Sequence, residues 1–172
     1  MERTEESALS QPQESGRPGA TRRPASPLVD PSLAPLLTKS PTLRAGLAQA
    51  DHDNLGVEWG PAGGGTYLIP GVKIVIDENA IGQGPRIARS LSHEVGHHLF
   101  TEQPDRTSKQ SYVNTLLRGE AAATLSNVQV QRELIAAGGP DIGVSGTGNR
   151  PQQYGAIAVE LQVAEVASLA RS

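Results

Sequence analysis

The spacing of apolar residues along the chain changes character at a few sharp points. From Met1 to about Pro41 there is no apolar stripe; the stretch is rich in Pro, Ser, Glu, Arg and Gln, with seven prolines and no aromatic residue. Such a segment buries too little apolar area to offset chain entropy. The pattern predicts a disordered tail or linker over residues 1–41 and a folded domain over 42–172. At Thr42 the texture shifts, and "TLRAGLAQA" sets Leu43 and Leu47 one turn apart among alanines, which predicts a short helix. After "DHDN" come the short apolar runs "GVEWG", "TYLIP" and "GVKIVIDE", separated by Gly and Pro, which read as strands. Val72–Ile76 is apolar at four of five positions, as expected of an inner strand covered on both faces, whereas "GGGTYLIP" is short and bounded like an edge.

A helical rhythm then returns. Pro85 opens a helix to about Thr101, closed before Pro104, with Ile87, Leu91, Val95 and Leu99 as its apolar stripe. A second long helix fits "NTLLRGEAAATLSNVQVQRELIAA" and is stopped by Gly138, Gly139 and Pro140. Along it Glu120, Thr124, Asn127 and Gln131 form a polar strip on a surface otherwise made of Ala, Leu and Val. A Gly-rich loop leads to a last helical pattern from about Tyr154 to Ala170. No internal repeat is visible. The fold class expected is α+β: a small sheet of three or slightly more strands, packed on the helix near residue 94 and on the second, glutamate-bearing helix.

Composition narrows the function. With five aromatic residues, the core must be built from Val, Ile, Leu and Ala. A net charge of -3, from 18 acidic and 15 basic residues with no basic stripe, argues against nucleic acid as a partner. Without cysteine there are no thiolate ligands, so any metal must sit on imidazole and carboxylate. The N-terminal stretch lacks the apolar run of a Sec signal peptide, and no window suits a membrane span. The expectation is synthesis in the cytoplasm, with any export left to a dedicated secretion machine or carrier.

Three of the four histidines fall in "SLSHEVGHHLF". On a helix, His93 and His97 stand one turn apart on a face roughly opposite the apolar stripe, so both rings can reach one metal ion. Glu94 sits beside them, where it can take a proton from a water activated by the ion and pass it to a leaving amine. That chemistry is peptide hydrolysis, and the donor set suits zinc.

With these residues the chain resembles the zincin metallopeptidases, in which an HExxH helix follows a strand of a small sheet. The metzincin continuation is not met, because Phe100 and Gln103 stand where Gly and a third His would be. Gluzincins take a Glu from the next helix, often within (N/G)ExxxD, and "GEAAAT" is similar, with Gly119 and Glu120 matching and Thr124 in place of Asp. The resemblance implies zinc held by His93, His97 and Glu120, with Thr124 and Asn127 orienting the ligands through hydrogen bonds. The alanines around Glu120 suggest a buried carboxylate; rival third ligands are Asp105, Glu133 and Asp141. An oxyanion partner is also needed, from Tyr154, Tyr112, Arg150 or His98, and Tyr154 is preferred because it follows a Gly-rich loop able to close over substrate. Zincins hold an extended peptide against an edge strand, which here is Thr66, Tyr67 and Leu68, with Gly63 to Gly65 leaving room for backbone approach.

From about residue 40 to 147 the chain also looks like metallopeptidase domains at the C-terminal ends of bacterial polymorphic toxins and secretion-system effectors. Because HExxH is widely shared, this likeness rests on the flanking "GGGTY" and "GGPDIG" stretches. It implies an effector delivered into another cell, acting on a protein or peptide, with a cognate immunity protein. The alternatives are a cytosolic regulatory peptidase that cleaves a repressor, and a non-catalytic zinc-binding module.

Overall fold

A computed structural model describes residues 23–145. Four helices, α1 (Ala34–Lys39), α2 (Pro41–His52), α3 (Gly84–Leu99) and α4 (Lys109–Ala136), accompany a sheet of three strands, β1 (Gly56–Gly60), β2 (Tyr67–Ile69) and β3 (Lys73–Asp77). The class is α+β. Short 3-10 turns at Pro27–Val29 and Glu78–Ala80 complete the elements.

The strand order is β1-β3-β2, with β1 parallel and β2 antiparallel to β3. As its unbroken apolar run requires, β3 is the central strand, and Ile74, Val75 and Ile76 are all buried. The strand begins one residue later than expected, at Lys73, and Val72 is left exposed in the turn after Gly71. Strand β2 lies at the sheet edge, as its length and its bounding residues suggested.

Against this sheet lies α3, through Ile87, Leu91 and Val95, each almost fully buried; Leu99, placed on the same stripe, is about half exposed where the helix runs out. Helix α4 packs antiparallel on the other side of α3. Gly96 makes the contact possible, because a Cβ there would lie 2.6 Å from Ala123 Cα and 2.8 Å from Ser126 Cβ. Helix α4 also begins five residues before the expected Asn114, since Ser108 caps it by accepting the Ser111 N–H at 3.0 Å. No helix among the described residues is long and apolar enough to cross a membrane.

The expected tail boundary at residue 41 needs correction, because the fold takes in residues well before it. Leu33 and Leu36 are in the core, and Pro27 and Asp30 are buried. Trp59 Nε1 donates to Pro24 O at 3.0 Å, Ser26 Oγ to Val57 O at 2.8 Å, and Gly82 N to Asp30 Oδ2 at 2.9 Å. Prolines that lowered the apolar content of this stretch occupy first-turn positions behind serine caps: Ser26 before Pro27, and Ser40 before Pro41. Composition averaged over 41 residues therefore hid one turn of 3-10 helix and one short α-helix.

A long-range cap completes this region. The Glu133 carboxylate, on α4, accepts from Ser40 Oγ at 2.6 Å, from Thr42 N at 3.0 Å and from Thr42 Oγ1. Burial acts to raise the Glu133 pKa, but hydrogen bonds from Ser40, Thr42 and Gln129 outweigh it and hold the group below its ordinary 4.5. A depressed folded-state pKa means that the stabilisation is fully present above the ordinary value and is lost as pH falls below it and through the lower folded-state pKa. Glu133→Ala should therefore cost about 1–2 kcal/mol at neutral pH, the range for losing a helix cap, with the difference from wild type shrinking below pH 4.5. Urea melts at pH 7 and pH 3.5 check this; a deficit that persists undiminished in acid would refute the charged-cap account.

Candidate metal centre

Helix α3 carries His93 and His97 one turn apart, and packing on α4 brings a third group to them. The two Nε2 atoms are 3.2 Å apart, with the rings edge-to-face at 90°. Glu120 Oε2 lies 3.7 Å from His93 Nε2, and Oε1 lies 3.5 Å from His97 Nε2. One donor atom from each residue falls within 4.8 Å of the others. Donors of a tetrahedral site with bonds of ~2.0–2.1 Å stand roughly 3.3 Å apart, so the three groups are close to the spacing such an ion needs.

Electrostatics at this point suit a cation. Burial, and then the neighbouring His97, push the His93 pKa down, with Glu120 pulling the other way, which favours a neutral ring able to offer a lone pair. Burial raises Glu94 to about 7, the charge of Glu120 adds to the rise, and a backbone hydrogen bond from Leu68 opposes it. Glu94 is thus poised between its acid and base forms near neutral pH.

A cleft of about 920 Å³ opens over these residues. Thr66, Tyr67 and Leu68 line it together with residues 100–104 and Arg106. The edge strand and the metal-ligand candidates therefore share one opening. The glycines before β2 serve backbone conformation: Gly63 and Gly65 both have φ of +78° with no heavy atom near a would-be Cβ. Their N–H groups donate to Asp77 at 3.1 Å each, and Asp77 N donates to Thr66 Oγ1 at 3.1 Å, so the end of β3 holds the loop that leads into β2. Backbone donors, with Asn79 first and Gly63 next, keep the Asp77 carboxyl below its usual range. Asp77 was not picked out from sequence; an Asp ending an apolar strand beside a Gly-rich loop was the available signal.

Other residues fall differently from expectation. The Glu120 side chain is 57% exposed, because α4 turns Gly119 and Ala123 toward α3 and leaves the glutamate facing the open cleft. Asn127 is fully buried, but its Nδ2 donates to Gly143 O at 3.3 Å and its Oδ1 accepts from Ser145 N at 2.5 Å. It anchors the segment after α4 instead of orienting an imidazole. Thr124 is buried, yet makes no hydrogen bond to His93, whose Nδ1 is the one buried side-chain polar atom without a partner among the described residues.

The rival acids are occupied elsewhere. Asp105 accepts from Thr107 N, Glu133 caps α2, and Asp141 accepts from Gln131 Nε2 and Gly143 N. His98 lines the cleft, but its Nε2 meets Asp53 Oδ2 at 2.9 Å, and Tyr112 borders a neighbouring hollow. Tyr154 and Arg150 lie outside the described residues. No protein-family model, no curated protein and no solved structure matches this chain.

Proposed function

We propose that the protein is a zinc-dependent peptidase in which His93, His97 and Glu120 hold the metal and Glu94 is the general base. The observation that carries this reading is a buried glutamate, raised to about 7, beside a two-imidazole, one-carboxylate donor set at the floor of a cleft with an edge strand for a wall. Two imidazoles and one carboxylate leave a coordination position for a reactant, which separates this arrangement from closed structural zinc sites. Bound zinc supplies a Lewis acid that acidifies water and polarises a carbonyl.

The chain's own groups do the rest. Near neutral pH the Glu94 carboxylate accepts a proton from the attacking water, and its protonated form then delivers that proton to the amine nitrogen as the peptide bond breaks. The neutral ring of His93 keeps its Nε2 lone pair available. Strand β2 offers main-chain donors and acceptors to an extended peptide, which aligns the scissile bond with little demand on sequence. In the effector reading that accompanies this proposal, the target is a protein or peptidoglycan peptide of a recipient cell, and an immunity protein of the producer blocks the cleft.

Zinc-loaded full-length protein, incubated with an unfolded protein mixture and with peptidoglycan peptides, should generate new termini detectable by mass spectrometry. Glu94→Gln should slow their appearance by about 10²–10⁴-fold, the usual contribution of a general base, while retaining zinc. Equal product from wild type and Glu94→Gln would sink the proposal.

A further inference from the structure

We infer that the cleft selects peptides carrying an acidic side chain, and that Arg106 is the residue that reads it. The inference rests on the peptidase reading and goes beyond it by naming a substrate class.

Every other charged side chain along the cleft is engaged. Glu94 and Glu120 belong to the candidate metal centre, His98 meets Asp53, and Glu102 is held by the Arg118 guanidinium through both Nε and a terminal nitrogen. Arg118 also donates to Thr115 Oγ1 at 3.2 Å, so Glu102 and Arg118 close on each other. Arg106 lines the same cleft and has neither an ion pair nor a hydrogen bond among the described residues.

Its position gives this charge a use. Arg106 stands where the cleft meets a second hollow of about 300 Å³, also lined by Lys109. Lys109 has no ion pair among the described residues either, and the nearby acid Asp105 is turned to Thr107. Arg106 and Lys109 therefore line the second hollow together with no carboxylate among its lining residues, in a protein whose net charge is -3. That concentrates a positive potential which an incoming anion relieves.

The fold says which anion can reach it. Residues of the loop from Phe100 to Arg106 line the same cleft as Thr66, Tyr67 and Leu68. A peptide extended along β2 sends alternate side chains to opposite faces, so residues two apart enter the same side of the cleft. A guanidinium presents paired N–H donors that match a carboxylate in a fork, a match no neutral side chain repeats.

The test measures binding, so that it does not depend on turnover. Zinc-loaded full-length Glu94→Gln is titrated against two fluorescent pools of short peptides with acetylated and amidated ends, identical except that one carries Glu and the other Gln at a fixed position. Anisotropy should show the Glu pool binding about two- to fivefold tighter at low salt, as for an exposed charge pair. Adding Arg106→Gln should remove that advantage and leave Gln-pool binding unchanged, whereas Arg106→Lys should retain part of it. Equal binding of the two pools, no binding of either, or an advantage that survives Arg106→Gln would overturn the inference. In a parallel titration with the ends left free, an advantage seen only there would also overturn it, in favour of chain-end recognition. A wild-type protein that cuts nothing while the Arg106-dependent preference persists would remove the peptidase proposal and keep this one.

Discussion

A chain lacking residues 1–41 should fail to fold cooperatively. The deletion removes Leu33, which is completely buried, and Leu36, which is nearly so. Emptying a buried leucine site costs about 2–5 kcal/mol. It also removes Ser40 from the cap of α2 and from the Glu133 carboxylate, and leaves Gly82 N and Trp59 Nε1 without acceptors. Each of these lost hydrogen bonds adds about 0.5–1.5 kcal/mol. Together these losses reach the whole stability of an ordinary domain, about 5–15 kcal/mol.

Point variants separate the contributions. Leu33→Ala should lower stability by about 2–5 kcal/mol. Asp30→Ala should cost about 1–3 kcal/mol, because Asp30 accepts from Ser32 N at 2.9 Å, from Ser32 Oγ at 2.6 Å and from Gly82 N. Urea unfolding followed by circular dichroism provides the numbers. A shortened chain beginning at Thr42 that melts as sharply as the full protein would show that these contacts do not hold the fold.

The second large effect concerns metal. Wild-type protein purified without a polyhistidine tag should carry one zinc per chain, and His93→Ala or His97→Ala should carry almost none after dialysis. Glu120→Ala should weaken zinc by more than about 100-fold, since even residues that only support a ligand are worth 10–100-fold. Glu94→Gln should bind zinc like wild type. Glu120 makes this a clean experiment, because a side chain that is 57% exposed can be truncated without opening a cavity. Thermal melting in excess chelator should therefore be nearly the same for wild type and Glu120→Ala, so a difference in zinc content reports the ligand itself. Zinc retained at full affinity by Glu120→Ala would exclude it as a ligand while leaving the histidine pair in place.

Much of the site was legible because it is local. Two histidines four residues apart meet on any helix, and the stripe Ile87, Leu91, Val95 told which side of α3 faces the sheet. The apolar run of β3 likewise declared a central strand, whereas the glycines before β2 were read as room for a substrate backbone, and the left-handed conformations of Gly63 and Gly65 came only with the structure. Residues 27–40 were misread for a different reason. Their prolines and serines cap helices, and a composition argument counts the same residues as evidence against order.

By itself, then, the sequence determined the helices and strands from α2 onward and the pairing of His93 with His97, since both follow from spacing within a single helix or strand. Only the tertiary structure decided where Glu120, Asn127 and Glu133 point. All three lie on α4, within fourteen residues of one another, yet one faces the histidines across an open cleft, one holds the segment at Gly143 and Ser145, and one caps a helix that begins 92 residues earlier at Pro41. The periodicity of a helix sets the angle between its side chains. What stands at each angle is set by how α4 packs on α2 and α3, through contacts such as Gly96 on Ala123, and those join residues too far apart in the chain for any local pattern to record.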